Sequence, residues 1–152
     1  MQRPRRVVSG GQTGVDRAAL DAAIAAGIPH GGWCPRGRRA EDGVIPARYA
    51  LTETPSADYA ERTERNVVES DGTLIFTHGT LRRGGTALTH ELAIRHRKPL
   101  LCVDLLESPD PRIAQRWIEE HGIDVLNVAG PRESQRSGIG EKARSYLARL
   151  LA

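Results

Sequence analysis

The chain has 152 residues, of which 39% are hydrophobic, and its formal net charge is +3 at pH 7. This length suits one domain with a single core, which we expect to extend over residues 1–152. No run approaches the roughly 18 apolar residues of a membrane-spanning helix, and the basic N-terminus lacks the apolar stretch of a signal peptide. The small net charge and the 4% aromatic content argue against a nucleic-acid surface. Two widely spaced cysteines, Cys34 and Cys102, are typical of reduced thiols and favour the cytoplasm.

Apolar runs that alternate with helical stretches predict a regular series of strands and helices. We expect strands at Arg6–Ser9, Gly31–Cys34, Thr73–Thr77, Leu100–Asp104 and Asp124–Val128. We expect helices at Val15–Ala26, Asp58–Ser70, Thr86–His96, Pro111–His121 and Glu141–Leu151. This alternation is typical of right-handed βαβ units. It predicts an α/β fold, a Rossmann-like open parallel sheet of about five strands with helices on both faces.

A glycine-rich turn, Ser9-Gly10-Gly11-Gln12-Thr13-Gly14, joins the first predicted strand to the first helix. It matches neither the P-loop nor the G-x-G-x-x-G fingerprint, yet Gly11 and Gly14 can adopt conformations closed to other residues and let a ligand approach. Thr13 could cap the helix or donate to a ligand oxygen. Asp16, in the first helical turn, could cap the helix or accept hydrogen bonds from ligand hydroxyl or amino groups.

A second glycine-rich turn, Arg82-Arg83-Gly84-Gly85-Thr86, follows the third predicted strand. Gly84 and Gly85 can present backbone N–H groups to an anion, with Thr86 as the N-cap of the next helix. Arg82 and Arg83 can close on the same charge, although an ordinary tight turn with solvated arginines is the alternative. If the strand order is 2-1-3-4-5, both turns meet beyond the carboxyl ends of strands one and three, in one site for an anionic ligand.

Three other stretches could contribute to this site. Four polar residues at i, i+3, i+4 and i+7 share a face of the second helix that either meets solvent or lines a polar pocket; they are Tyr59, Arg62, Thr63 and Asn66. The loop after strand five could add Arg132 to the site or simply form a turn. The irregular segment Pro35–Ala57 could fold over the mouth of the site or lie on the surface as a solvated loop.

Groups for catalysis are scarce in the sequence. The five histidines form no metal-binding spacing, and no nucleophile elbow or catalytic triad order occurs. Glu91, early in the third helix, is the remaining candidate for a general acid or base. We therefore expect no metal site and a protein that binds its ligand without turning it over.

Several of these motifs together resemble the molybdenum carrier proteins, which belong to the circularly permuted YpsA branch of the SLOG superfamily. The matching segments are Ser9–Ala18, Gly32–Arg38, Ala40–Gly43, Ser70–Thr73, Gly84–Thr86 and Asn127–Arg132, with Tyr59, Arg62, Thr63, Asn66 and Val67 in the second helix. They extend over nearly the whole chain, from about Val7 to Gly140.

The resemblance implies a Rossmann-like domain that binds a phosphorylated, nucleotide-like small molecule. For the carrier subgroup, this ligand is molybdenum cofactor (molybdopterin), a phosphorylated pterin dithiolene that holds the metal. The family's binding positions carry over onto Gly10, Gly11, Thr13, Gly14, Asp16, Gly84, Gly85 and Thr86, and in addition onto Arg62 and Asn66. We also expect a homo-oligomer, with a molybdoenzyme or a cofactor-synthesis protein as its partner.

The related cytokinin-activating hydrolases use P-G-G-x-G-T-x-x-E to cleave the N-glycosidic bond of a nucleotide. This chain has Arg83-Gly84-Gly85-Thr86 instead, and Glu91 follows the threonine by five residues rather than three. The departure favours a carrier over a hydrolase. Two alternatives stay open, a nucleotide-processing enzyme such as a phosphoribohydrolase and a sensor of a nucleotide signal.

Overall fold

A computed structural model describes residues 2–79 and 84–152 of the chain. Its centre is a parallel sheet of five strands: β1 (Arg6–Val8), β2 (His30–Gly31), β3 (Gly72–Thr77), β4 (Leu100–Asp104) and β5 (Val125–Ala129). The five helices are α1 (Val15–Ala26), α2 (Tyr59–Val68), α3 (Gly84–Arg95), α4 (Pro111–His121) and α5 (Ile139–Leu150). This arrangement confirms the predicted α/β, Rossmann-like fold class.

Helices α1 and α4 begin and end at the predicted residues. Residues at the ends of these two helices explain the agreement. Helix α1 ends at Gly27, which adopts the left-handed conformation and returns its N–H to carbonyls of the last turn. Helix α4 begins after Asp110, whose side chain accepts from the N–H of Arg112, and has Pro111 in its first turn. Each signal acts within a few residues of the helix end, so the sequence predicts it well.

The strand order differs from the order 2-1-3-4-5 that the sequence analysis assumed. The sheet runs β2-β1-β5-β3-β4, so β5 lies between β1 and β3 instead of at the edge. Leu126 of β5 pairs with Val7 on one side and Gly72 on the other. The central strands bury both faces: all six residues of β3 and the middle three of β5 are buried. Alternation of strands and helices along the chain does not encode this lateral order.

The core lies on both faces of the sheet. Helices α1, α4 and α5 pack on one face, where Val15, Ile118 and Leu147 belong to the same apolar cluster as Leu74 of β3. Helices α2 and α3 pack together on the other face and form a separate cluster of Val67, Leu92 and Ala93. Within the described ranges, no helix is both long and apolar enough to cross a membrane.

The segment 35–57 has short strands and a few buried anchoring side chains, although more than half of its residues are exposed. The predicted strand Gly31–Cys34 divides at Gly32, whose φ is +124°, and its second half, Trp33–Cys34, pairs with Thr52–Glu53 in a separate small sheet. Arg39–Ala40 and Gly43–Val44 form a short hairpin. The segment also contributes buried side chains to a cluster made of Leu20, Cys34, Ile45 and Tyr49.

Candidate functional site

A cavity of about 370 Å³ opens at the carboxyl edge of the sheet. Its wall is formed by the first glycine turn, the start of α2, the first turns of α3 and the loop after β5. Although β5 separates β1 from β3, Gln12 and Asp16 share this cavity with Gly84, Gly85 and Thr86. Described residues of both glycine-rich turns therefore line one cavity, together with the loop after β5.

A buried ion pair forms part of this wall. Arg62 Nη1 lies 3.4 Å from Asp16 Oδ2, and the same carboxylate oxygen accepts a hydrogen bond from the backbone N–H of Gln12 at 3.3 Å. Burial raises the pKa of Asp16, an effect that the charge of Arg62 opposes. Burial likewise lowers the pKa of Arg62 against the opposing charge of Asp16. Of the two interpretations of the polar face of α2, solvent-facing or pocket-lining, Arg62 supports the second.

Two buried polar atoms of the cavity residues, Gln12 Oε1 and Arg62 Nε, have no hydrogen-bond partner among residues 2–79 and 84–152. The nitrogen of the Gln12 side-chain amide, Nε2, donates a hydrogen bond to the carbonyl oxygen of Arg39 at 2.8 Å and fixes the orientation of the amide. A buried polar group without a partner costs about 1–3 kcal/mol. Both atoms have almost no accessible surface, so they lie behind the surface of the cavity wall. The sequence analysis assigned no role to Gln12. A polar side chain between the glycines of a turn is the feature that could have indicated one.

Gly10 and Gly11 are required by packing within the turn. A Cβ at Gly10 would lie 1.9 Å from Arg62 Nη1, so the absence of a side chain lets the guanidinium approach the turn. Gly11 has a φ of +79°, and a Cβ there would lie 2.6 Å from Leu51 Cδ1. Gly10 and Gly11, which were predicted to bind the ligand, thus allow other residues to pack behind the cavity wall. Neither of them lines the cavity.

Gly14 and Thr13 join the first turn to other loops. Gly14 is the N-cap of α1 with a φ of +79°, and a Cβ there would lie 2.5 Å from the carbonyl oxygen of Pro131. The N-cap of α1 is Gly14, which has no side chain, so Thr13 is not the N-cap; the carboxylate of Asp16 accepts from the N–H of Gln12 in the turn before the helix. The hydroxyl of Thr13 instead donates to Glu41 and accepts from the N–H of Glu133.

The start of α3 faces the cavity with little side-chain bulk. Among the described residues, a Cβ at Gly85 would meet no atom within 4 Å, and one at Gly84 would meet Gln135 Nε2 at 3.9 Å. The first N–H groups of a helix have no partner within the helix and carry its positive dipole end. Thr86 lies inside α3, which begins at Gly84, so its predicted N-cap role is wrong. The predicted contacts of Arg82 and Arg83 lie outside the described residues.

The loop after β5 adds a cation to the cavity. Arg132 lines the cavity, and its guanidinium carbon lies 4.7 Å from the centre of the Tyr59 ring. The guanidinium of Arg62 lies 5.9 Å from the same ring. Tyr59 therefore positions two arginines by cation–π contact, and the two positive charges adjoin one polar cavity.

Two predicted residues lie away from the cavity. Asn66 is buried, and its side-chain amide accepts from the N–H of Trp33 at 2.8 Å and donates to its carbonyl at 3.0 Å. It thus holds the chain after β2 in place. Glu91 is exposed on α3 and pairs with Arg95 at 3.2 Å, with no contact to the cavity. Across residues 2–79 and 84–152, no group of acidic, histidine or cysteine side chains could hold a metal ion.

Comparison with known proteins gives two matches. The model of the circularly permutated YpsA SLOG family matches residues 7–151. A crystal structure from Syntrophus aciditrophicus SB, named "Putative molybdenum carrier protein", superposes with a TM-score of 0.92 at 46% sequence identity. The match covers 98% of this chain and 96% of that one. No curated protein matches at a significant level.

Proposed function

Because the chain belongs to the circularly permutated YpsA SLOG family, we propose that it is a binding protein for a phosphorylated heterocyclic ligand, with molybdenum cofactor as the favoured cargo. The observation that carries this proposal is the cavity itself. One space of about 370 Å³ is lined by the start of α3, by two arginines, Arg62 and Arg132, and by the ring-bearing residue Tyr59. That volume is within the range of small-molecule sites.

The phosphate would occupy the end of the cavity at α3. No atom of the described residues would lie within 4 Å of a Cβ at Gly85, and the first N–H groups of a helix favour an anion. Arg62 and Arg132 supply positive charge on the facing wall, next to Tyr59. Arginine suits phosphate because its planar guanidinium can donate two parallel hydrogen bonds.

The name of the similar crystal structure supports molybdenum cofactor as the cargo. The Syntrophus protein is named for molybdenum carriage, and its identity of 46% extends over nearly the full length of both chains. A shared fold alone would not transfer a ligand, since one fold serves many functions. The polar side chains of the cavity wall would bind the heterocycle, and the start of α3 would bind its phosphate.

We expect binding without turnover. Among the carboxylates of the described cavity wall, Asp16 is engaged by Arg62, and Asp58 accepts the N–H of Ala60 as the N-cap of α2. A general acid must come within hydrogen-bond reach of the atom to which it gives a proton, and Glu91 lies outside the cavity. Incubation with nucleoside monophosphates and chromatography for free base tests this expectation; base release that disappears in Glu91→Gln would make the protein a hydrolase.

The direct test is native mass spectrometry of freshly purified protein, comparing the wild type with Gly85→Glu and Ala87→Glu. Gly85→Glu places a carboxylate in the open anion position, whereas Ala87→Glu adds the same charge to an exposed position of α3 outside the cavity. Charge-assisted hydrogen bonds to phosphate are worth about 1.5–3 kcal/mol, so affinity should fall at least about tenfold in Gly85→Glu.

We expect the mass of a phosphorylated heterocycle on the wild type and on Ala87→Glu, and its loss from Gly85→Glu at an unchanged melting temperature. A molybdenum signal in the same sample would identify the cargo as the metal-loaded form. If Gly85→Glu retains the ligand as well as the wild type does, the start of α3 is not the phosphate site.

A further inference from the structure

Strand β4 forms one edge of the sheet, and its outer side pairs with no strand among residues 2–79 and 84–152. Its inner side pairs in parallel with β3, where the N–H of Thr73 donates to the carbonyl oxygen of Pro99. Peptide groups of alternate residues in a strand point to opposite sides, so the peptide group of Leu100 points outward. An outer edge of this kind is a template for a further strand.

The β4 edge lacks the features that usually prevent edge strands from pairing with another chain. Such features are charged or proline residues in the middle of the strand and β-bulges that bend it away. The middle of β4, Leu101-Cys102-Val103, is uncharged, and Cys102 is exposed. The five residues of β4 pair with β3 in unbroken register, so the strand has no bulge. The β4 edge is therefore open to a partner strand.

Exposed apolar side chains flank the same edge. Ile94 of α3 and Ile113 of α4 are 60% and 59% exposed, and Leu106, which follows β4, is 53% exposed. Two residues turn an α-helix by about 200°, so Ile94 lies on the side of α3 opposite His96. His96 hydrogen-bonds to Glu64 of α2 at 2.8 Å, so Ile94 faces away from α2. Burial of these side chains would favour a contact along this edge.

The two ends of β4 carry opposite charges. Arg97 and Lys98 precede the strand, whereas Asp104 and Glu107 lie at its carboxyl end. Neither Arg97 nor Glu107 forms an ion pair with another residue of the described ranges. In an antiparallel pair of β4 strands, the amino end of one strand lies beside the carboxyl end of the other. Two copies of this edge are therefore complementary in charge when the strands are antiparallel.

We propose that a second copy of this chain docks on the β4 edge, with the two β4 strands antiparallel about a twofold axis at Cys102. Cys102 is the middle residue of Leu100–Asp104, so this register pairs Leu100 of each copy with Asp104 of the other. Arg97 and Glu107 lie equally far before and after the axis, so each Arg97 would meet the Glu107 of the other copy. The same surface serves both copies, and the two sheets join into one. This inference goes beyond the proposed ligand binding and does not depend on it.

Analytical ultracentrifugation of the full chain over a range of micromolar concentrations tests the proposal. We expect the wild type, whose chain mass is 16.6 kDa, to sediment at twice that mass. Cys102→Lys places two like charges opposite each other at the axis, so dimerisation should weaken at least about tenfold. Cys102→Ser adds no charge and should remain dimeric. Val44→Lys adds the same charge at a 72% exposed position of the hairpin in segment 35–57 and should also remain dimeric.

An exchange of charges tests the antiparallel register. Arg97→Glu and Glu107→Arg should each weaken the dimer, because each change brings like charges together at both ends of the interface. The double variant Arg97→Glu/Glu107→Arg restores opposite charges and should dimerise nearly as well as the wild type. Both positions are exposed, and melting curves of all variants monitor folding.

A monomeric wild type, or a dimer that Cys102→Lys leaves as stable as the wild type, would overturn the proposed interface. A double variant that dimerises no better than Arg97→Glu or Glu107→Arg alone would overturn it as well, because the register requires these two charges to meet. If Cys102→Lys does not fold, the charge-exchange series decides the outcome by itself.

Discussion

The ion pair between Asp16 and Arg62 determines the electrostatics of the cavity. Their side chains are 5% and 11% exposed, so both charges are largely removed from water. Taking charges out of water costs on the order of several kcal/mol per ion, which mutual attraction offsets only when the hydrogen bonds are well made. Here Arg62 Nε has no hydrogen-bond partner among the described residues, so the pair is incompletely satisfied.

Removal of one member of this pair should destabilise the protein in a pH-dependent way. Arg62→Leu leaves the Asp16 carboxylate buried without its cation and should lower the free energy of unfolding by about 3–5 kcal/mol at neutral pH. Burial already raises the pKa of Asp16 above 3.8, and loss of the opposing charge of Arg62 would raise it further. The folded variant would then bind a proton that the unfolded chain has released, so its stability should fall as pH rises through the folded pKa.

Urea unfolding of Arg62→Leu at pH 5 and pH 8 measures this effect, with Asp16→Asn/Arg62→Leu as the control that removes both charges. The single variant should lose more stability at pH 8 than at pH 5, and the double variant should show little of that difference. A pH-independent loss in Arg62→Leu would mean that Asp16 does not carry a buried charge.

At the scale of structural elements, the segment 35–57 organises the first glycine turn. Glu41, next to the hairpin residue Ala40, accepts hydrogen bonds from the hydroxyls of Thr13 and Ser134 and so joins three loops. These hydrogen bonds hold the pKa of Glu41 below its usual value of 4.5. Arg17 of α1 adds a bidentate contact with Asp42, at 2.5 and 2.7 Å.

Glu41→Gln should therefore destabilise the protein only where the carboxylate is charged. Because the folded pKa is depressed, the contribution of Glu41 is fully present above pH 4.5 and is lost as pH falls through the folded pKa. Thermal unfolding of the wild type and the variant should differ at pH 7 and converge in more acidic buffer. Glu120→Gln, at an exposed position of α4, serves as the control. A difference that persists at low pH would assign the effect to packing.

At the scale of the whole molecule, the central position of β5 brings the parts of the site together. Its carboxyl end leads into Ala129, Gly130 and Arg132, which lie between the two glycine-rich turns in the cavity wall. Inside the sheet, Asn127 Nδ2 donates to Thr73 Oγ1 at 3.2 Å, so a buried polar contact joins β5 to β3. Such a contact favours this register because a slip would leave both groups unpaired.

Native-state hydrogen exchange tests this strand order. Amides of β5 should be among the slowest to exchange, together with those of β3, because both strands are paired on two sides. Amides of the edge strands β2 and β4 should exchange faster and serve as internal references. If β5 exchanges like an edge strand, the order 2-1-3-4-5 describes the sheet better.

Local physics explains what the sequence by itself determined. The periodicity and end signals of α1 and α4 act within a few residues, so their bounds were predicted correctly, as were the parallel α/β class and the family. The glycine-rich turns were also found from sequence, since glycines between a strand and a helix stand out.

Only the tertiary structure decided the order of the strands, the anchoring of segment 35–57 and the different uses of the glycines. Insertion of β5 between β1 and β3 depends on which strands bury both faces, a property of the assembled core. Gly11 and Gly85 look alike in sequence, yet a Cβ at Gly11 would collide with Leu51, whereas one at Gly85 would meet no atom of the described residues within 4 Å. The side-chain nitrogen of Gln12 donates to the carbonyl of Arg39, which is distant along the chain, and the side-chain oxygen has no partner among the described residues. The sequence could not predict this difference, because it depends on contacts between distant residues.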